Sequence, residues 1–133
     1  MLSLTKTEIR ALYKKKRAAL SNDEVAFLSN AIFNNLINSF DFTTVKTLHC
    51  FLPIDSKKEI DTSFIINLSF HNKLRVFVPR VVGDTMESIE IDVNTQYEIS
   101  KWGIKEPIKS LDNEEVKTFD ICITPLLYAD IKG

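Results

Sequence analysis

Three short apolar runs, each closed by a proline, constrain the fold of this chain more than any other feature. Proline cannot donate a hydrogen bond to a neighbouring strand, so it marks the end of each run. The near-continuous apolar character is typical of strands that are buried on both faces of a parallel sheet. The runs are "VKTLHCFLP" (45–53), "LRVFVP" (74–79) and "FDICITP" (119–125).

A helical segment between the first two runs completes a βαβ unit. In "DTSFIINLSFH", Asp61 or Thr62 is a plausible N-cap, and Phe64, Ile65 and Leu68 form the predicted buried stripe. Parallel strands need such a crossover, because a tight hairpin cannot join them. This order of segments therefore predicts an α/β fold.

Two capping boxes predict two further helices ahead of the first strand. In "TKTE" (Thr5–Glu8) and "SNDE" (Ser21–Glu24), a hydroxyl caps the first turn and a glutamate three positions later reaches back. Apolar residues recur at roughly helical spacing after each box, so both helices are expected to be amphipathic and to pack on other elements. The stripes are Ile9, Leu12, Tyr13 and Leu20 in the first helix, and Val25, Leu28, Ile32 and Leu36 in the second.

The remaining segments add one strand and a long irregular region. "MESIEID" (86–92) alternates in polarity and is interpreted as a more exposed strand, while residues 94–118 are expected to form loop with short helical pieces. No repeat or linker divides the chain. We therefore expect one α/β domain over residues 1–133, a three-layer sandwich with a mainly parallel sheet.

Charge and cysteine content restrict the expected setting. The chain has 17 basic and 18 acidic residues and a formal charge of −1, a balance that does not indicate a polyanion-binding protein. The basic run "KKKR" (14–17) is interpreted as solvated surface.

Cys50 and Cys122 lie in apolar runs without metal-ligand or disulfide spacing, which predicts buried free thiols in a reducing compartment. No segment has the pattern of a signal peptide or a membrane span, so we expect a cytoplasmic protein without nucleic-acid or membrane partners.

A few polar residues are candidates for ligand binding. Only three glycines occur, so a phosphate-binding P-loop and a dinucleotide fingerprint are excluded, and two histidines argue against a histidine-based metal site. Lys6 and Arg10 share a helix face, where they either converge on phosphate oxygens or remain a solvated face. Glu59 follows the first strand and either accepts paired N–H donors of a ligand or stabilises a helix N-terminus. Trp102 either stacks on a flat ring or anchors the core.

The order of several segments resembles the 5-formyltetrahydrofolate cyclo-ligase family, also called methenyltetrahydrofolate synthetases. The resemblance implies an enzyme that uses ATP and Mg²⁺ to convert 5-formyltetrahydrofolate to 5,10-methenyltetrahydrofolate, with release of ADP and phosphate. In the family mechanism ATP phosphorylates the formyl oxygen, N10 attacks the activated carbon, and phosphate leaves. The segments are "KTEIRALYKKKRAALS", "FLPIDSKKEIDT", "VFVPRV", "WGIKEP" and "FDICITPLLYADIKG".

The resemblance also implies roles for particular residues. Lys6 and Arg10 match a Lys-x-x-x-Arg that contacts ATP, which reverses the solvated-face interpretation. Leu52 and Glu59 match positions that line the folate site, and Met86 and Trp102 fall where the family places further apolar pocket residues. Arg80 matches a recurrent family arginine without an assigned role, and no catalytic residue or metal ligand is assigned.

Two departures from the family pattern matter. The loop that follows Leu52 contains an apparent insertion, "SKK", ahead of "EIDT". The sequence also ends at "YADIKG", where the family continues into a glycine-rich segment that cradles phosphate. We therefore expect the N-terminal portion of a cyclo-ligase-like domain, with a sheet incomplete at its C-terminus, impaired activity and self-association through an exposed edge. The alternative is a non-catalytic folate- or nucleotide-binding α/β domain.

Overall fold

The computed structural model describes residues 3–132, which form three α-helices, six β-strands and a short 3-10 helix. None of the helices in this part of the chain is long and apolar enough to cross a membrane. The helices are α1 (Lys6–Ala18), α2 (Asn22–Ser39) and α3 (Ser63–His71), and the 3-10 helix is Asp55–Lys57. The strands are β1 (Thr47–His49), β2 (Arg75–Val82), β3 (Thr85–Ile91), β4 (Tyr97–Ile99), β5 (Lys105–Pro107) and β6 (Ile121–Cys122).

The main sheet has the order β3-β2-β1-β6 and is mostly parallel. Strand β1 runs parallel to both β2 and β6, with Leu48 opposite Val76 on one side and Ile121 on the other. Strand β3 is antiparallel to β2. The βαβ unit β1-α3-β2 and the additional strand in "MESIEID" are therefore confirmed, and so is the α/β fold class.

The helical layer lies on one face of this sheet. Alternate strand residues such as Leu48 and Val76 are fully buried and form a single core with Phe33 of α2 and Ile65 of α3. These four side chains are apolar and 2% exposed or less. Phe77, which points to the opposite face, is also buried, and burial on both faces explains the nearly continuous apolar run of β2.

Irregular chain covers the opposite face in the described part of the molecule. Phe77 and His49 point to that face, and the ring of Phe119 packs between them with both centroid distances at 5.0 Å. Arg75 forms a two-point ion pair with Glu90, with Nη2–Oε1 at 2.7 Å and Nε–Oε2 at 3.1 Å. In residues 3–132 the third layer of the predicted sandwich is thus built by loop.

Both predicted capping boxes are present. The hydroxyl of Thr5 accepts a hydrogen bond from the backbone N–H of Glu8 at 3.2 Å, and the Glu8 carboxylate accepts one from Thr5 N–H at 2.7 Å. Ser21 and Glu24 repeat this exchange, with both distances at 3.1 Å. The boxes satisfy backbone donors that the first turn of a helix otherwise leaves unpaired.

The buried face of α2 differs from the predicted stripe. Leu28 and Ile32 are 40% and 47% exposed, whereas Ser29 and Phe33 are buried. The physical reason is a polar contact, because Ser29 Oγ donates to Val25 C=O at 2.6 Å and accepts from Asp61 N–H at 2.9 Å. This contact fixes the rotation of α2 against the loop that precedes α3.

Four other predictions are wrong in part. Phe64 of the predicted α3 stripe is 45% exposed, and Ile66 is buried in its place. Cys122 is exposed, because β6 is an edge strand and the thiol points away from the core, whereas Cys50 is buried as predicted. Residues 94–118 contain the two-stranded antiparallel sheet β4-β5 and no helical piece. Helix α1 has no buried residue, although its stripe was expected to pack.

Candidate functional site

Two grooves flank the loop that leaves β1. The larger, here called the α3 groove, has a volume of about 740 Å³ and runs along α3 between α2 and the segment after β3. The smaller, here called the α1 groove, has a volume of about 300 Å³ and lies between α1, this loop and residues 125–127 after β6. The α1 groove therefore lies beyond the carboxyl ends of β1 and β6, where open α/β sheets bind their ligands.

Glu59 lies where these two grooves meet, since it lines both of them. Its Oε2 accepts a hydrogen bond from the backbone N–H of Ile54 at 2.8 Å. A carboxylate has about four acceptor positions on its two oxygens, so this contact orients the group without exhausting it. Leu52 is half-buried and lines the α3 groove only. The structure thus brings Leu52 and Glu59 to one loop, as the sequence predicted.

The rest of the loop fixes the orientation of that carboxylate. The residues of the apparent insertion form most of the 3-10 helix, and Lys58 then adopts a left-handed conformation with φ of 56°. The Lys58 ammonium donates to Asn22 Oδ1 at 2.5 Å, which ties the loop to the first turn of α2. At the other end, the fully buried Thr62 hydroxyl donates to Phe51 C=O at 2.8 Å. The loop is therefore anchored at both ends.

Lys6 and Arg10 lie on the same face of α1 as the α1 groove. The spacings from Lys6 to Arg10, Tyr13 and Arg17 are four, seven and eleven residues, which place all four on one stripe of a helix. Tyr13 and Arg17 line the groove, and the Tyr13 ring packs against Tyr128 with centroids 4.6 Å apart. Within residues 3–132 neither Lys6 nor Arg10 forms an ion pair, so both are free to meet an anion.

Met86 and Trp102 lie elsewhere in the molecule. Met86 is the second residue of β3 and is 67% exposed, and Trp102 lies between β4 and β5 and is 65% exposed. Neither residue lines the α1 groove or the α3 groove. Trp102 lines a third hollow of about 310 Å³ that also contains Val81, the strand partner of Met86. The two residues therefore lie near the same end of the β2-β3 hairpin.

Arg80 makes structural contacts in this chain. Its guanidinium donates to the Ile108 carbonyl at 2.9 Å and lies 3.5 Å from the carboxylate of Glu87. These contacts tie β2 to the chain that follows β5. Its position in "VPRV" therefore has a local explanation that needs no ligand.

His49 and Cys50 lie at the carboxyl end of β1, and both side chains are uncharged at neutral pH. Burial raises the pKa of the Cys50 thiol to about 12, so it remains protonated and weakly nucleophilic at neutral pH. Desolvation lowers the pKa of His49, which keeps its imidazole neutral. Among residues 3–132 no group of three or more His, Cys, Asp or Glu side chains could hold a metal ion.

Sequence reasoning missed two groove residues, Lys16 and Arg17. Both line the α1 groove, although their place in a run of four basic residues suggested solvated surface. The spacing in the sequence indicates Arg17, because it lies seven residues after Arg10 and so continues the same helix face.

The fold and the grooves define an α/β protein with a ligand site beyond the carboxyl ends of a mostly parallel sheet. The model of the "5-formyltetrahydrofolate cyclo-ligase family" matches residues 3–133, and the chain belongs to this family.

Individual relatives agree with this assignment. A protein of Schizosaccharomyces pombe named "Probable 5-formyltetrahydrofolate cyclo-ligase" is 27% identical over 108 residues, which cover 80% of this chain and 52% of that protein. The chain thus spans about half the length of the curated relative it matches.

Solved structures give the same result for the fold. A 5,10-methenyltetrahydrofolate synthetase of Mycoplasma pneumoniae is 27% identical, with a TM-score of 0.57 over 66% of this chain and 54% of that one. The corresponding Aquifex aeolicus protein has a TM-score of 0.68 over 81% of this chain and 54% of that one; at 24% identity, this likeness concerns the fold alone.

Proposed function

We propose that this chain takes part in the ATP-dependent conversion of 5-formyltetrahydrofolate to 5,10-methenyltetrahydrofolate, with release of ADP and phosphate. The observation that carries the proposal is the position of Glu59, an oriented carboxylate shared by two grooves and adjacent to the basic stripe of α1. Membership of the cyclo-ligase family supports the same reaction.

The chemistry explains why such a reaction needs both an acceptor and a cationic site. A formyl oxygen leaves poorly until it is phosphorylated, and ring closure by N10 then expels phosphate. Negative charge on the transferring phosphoryl group must be offset by nearby cations. In the proposal Lys6 and Arg10 supply these cations from α1. Magnesium enters with the phosphates of ATP, which is a common way for this ion to bind.

The folate is held by the loop after β1. Glu59 accepts hydrogen bonds from adjacent N–H groups of the pterin, because a carboxylate can accept two parallel bonds from such a pair. Leu52 supplies an apolar surface from the same loop. The resemblance places Met86 and Trp102 in the apolar part of the folate site; in this structure they line neither groove.

The proposed setting is a cytoplasmic, reducing one. Cys50 and Cys122 are both free, and neither thiol needs an oxidising environment. We also propose self-association through β6, because its outer edge carries backbone groups that the described residues leave available for another strand.

The test is the growth of the methenyltetrahydrofolate absorbance band after the protein is mixed with 5-formyltetrahydrofolate, ATP and Mg²⁺. We expect Glu59→Gln to raise the KM for the folate and Arg10→Ala to raise the KM for ATP, each on the order of tenfold or more, because each loses a charge-assisted contact. Lys15→Ala is the matched control, since Lys15 lies on the opposite side of α1.

Two outcomes contradict the proposal. No band from a folded protein that binds both ligands would favour the non-catalytic binding domain. A band that Glu59→Gln and Arg10→Ala leave unchanged would place the active site elsewhere.

A further inference from the structure

A cationic rim surrounds the α1 groove. Lys16, Arg17 and Lys58 line the groove with Glu59 as the only carboxylate, which gives the lining a formal charge of 3 − 1 = +2. Arg17 is half-buried, and within residues 3–132 it forms no ion pair. A partly desolvated guanidinium without an acidic partner favours an anionic ligand, because guanidinium binds carboxylates in a two-point geometry.

The inner surface of the same groove is apolar and aromatic. Tyr13 lies between the Lys16 ammonium, 4.8 Å from its ring centroid, and the ring of Tyr128. Phe51 and Leu127 line the groove as well. Such a surface accepts a flat ring, and the rim above it accepts negative charge. The groove is therefore complementary to a ligand that joins an aromatic ring to an anionic group.

We propose that the α1 groove is the subsite for the p-aminobenzoyl-glutamate part of the folate, and that Arg17, with Lys16, recognises the carboxylates of its glutamate tail. This inference rests on the proposed function. A nucleotide also joins a flat ring to anions, but two observations favour the folate. Glu59, the proposed pterin contact, lines the same groove. The proposed phosphate contacts Lys6 and Arg10 do not line it and lie about three and two turns from Arg17 on α1.

The experiment compares 5-formyltetrahydrofolate bearing one glutamate with the form bearing three. With the unaltered protein we expect a lower KM for the triglutamate. With Arg17→Gln we expect the KM for the triglutamate to rise on the order of tenfold, with kcat unchanged and most of the tail-length preference lost. Arg17→Lys should keep part of the preference, because it retains the charge. Lys15→Ala, on the far side of α1, should behave as the unaltered protein.

Two results would overturn the inference. One is an Arg17→Gln variant whose tail-length preference equals that of the unaltered protein. The other is a rise in the KM for ATP instead of the folate, which would assign the groove to the nucleotide.

A direct binding measurement separates this inference from the proposed function. In calorimetric titration, p-aminobenzoyl-triglutamate should bind the unaltered protein more tightly than Arg17→Gln. If the compound binds in this way but no methenyltetrahydrofolate forms, the proposed activity is wrong and the proposed subsite is supported. If product forms but Arg17→Gln changes neither binding nor KM, the proposed subsite is wrong and the proposed activity is supported.

Discussion

Replacement of Thr62 by valine should destabilise the protein through one lost hydrogen bond. Thr62 is fully buried, and its hydroxyl donates to the carbonyl of Phe51, itself 9% exposed, at 2.8 Å. Valine keeps nearly the same volume, so little cavity forms, but the carbonyl retains only a weak contact with the Cys50 thiol at 3.5 Å. A buried acceptor left without a good donor costs about 1–3 kcal/mol, which lowers Tm by roughly 4–10 °C in a domain of this size.

Urea unfolding followed by circular dichroism measures this loss. Thr62→Ser is the matched control, because it keeps the hydroxyl and removes one methyl group, at a cost of about 1 kcal/mol. We expect the valine variant to be less stable than the serine variant. The reasoning is refuted if Thr62→Val is as stable as the unaltered protein, or if serine is the more damaging replacement. Since the bond closes the loop that carries Glu59, the proposed binding of folate should weaken in the same order.

Three further predictions concern the loop, the thiols and the pH dependence. Lys58→Gly should change the free energy of unfolding by less than about 1 kcal/mol, since glycine adopts φ of 56° freely. Lys58→Val should lower it by about 1–3 kcal/mol, because a β-branched residue is strained at this φ. Equal urea midpoints of the two variants would contradict this prediction. At pH 8 a thiol reagent should label the exposed Cys122 in the folded protein and Cys50 only in urea, because burial raises the pKa of Cys50 to about 12. Cys122→Ser should abolish this fast labelling. Rapid reaction of both thiols in the folded protein would contradict the prediction. Folding lowers the pKa of His49 from 6.5, so the unfolded chain binds a proton there more readily than the folded protein. The free energy of unfolding should therefore fall as the pH drops below 6.5. His49→Gln should flatten this part of the curve of stability against pH, and an unchanged slope would exclude His49 as the cause.

The features that the sequence predicted well depend on near neighbours. A capping box is encoded within four residues, and both boxes formed at Thr5 and Ser21. The apolar runs predicted parallel strands, because burial on both faces leaves no polar alternation. Strands β1 and β6 are shorter than their runs, and β6 contains only Ile121 and Cys122. Strand β2 instead continues through Pro79 to Val82, so Pro79 does not end it as expected.

The predictions that were wrong concern features that depend on residues far away in the sequence. Ser29 is buried because Asp61, 32 residues later, donates to it, and no helical periodicity contains that information. Exposure of Cys122 follows from its place in an edge strand, which the order of strands decides.

The candidate site follows the same division. Glu59 could be found because it lies between the first strand run and the next helix, and Lys6 and Arg10 because they share a helix face. Arg17 continues the same helix face, but only the structure shows that this face and the chain after β6 form one groove.

The absence of any buried residue in α1 has a consequence for ligand binding. A helix of 13 residues is marginal in isolation, so α1 should open at a low free energy and its amides should exchange with solvent well before those of β2. A ligand held by both α1 and the loop of Glu59 binds only the closed form, and it should slow this exchange by a factor of 1 + [L]/Kd. Amide protection in α1 therefore reports occupancy of the site, even when no product is formed.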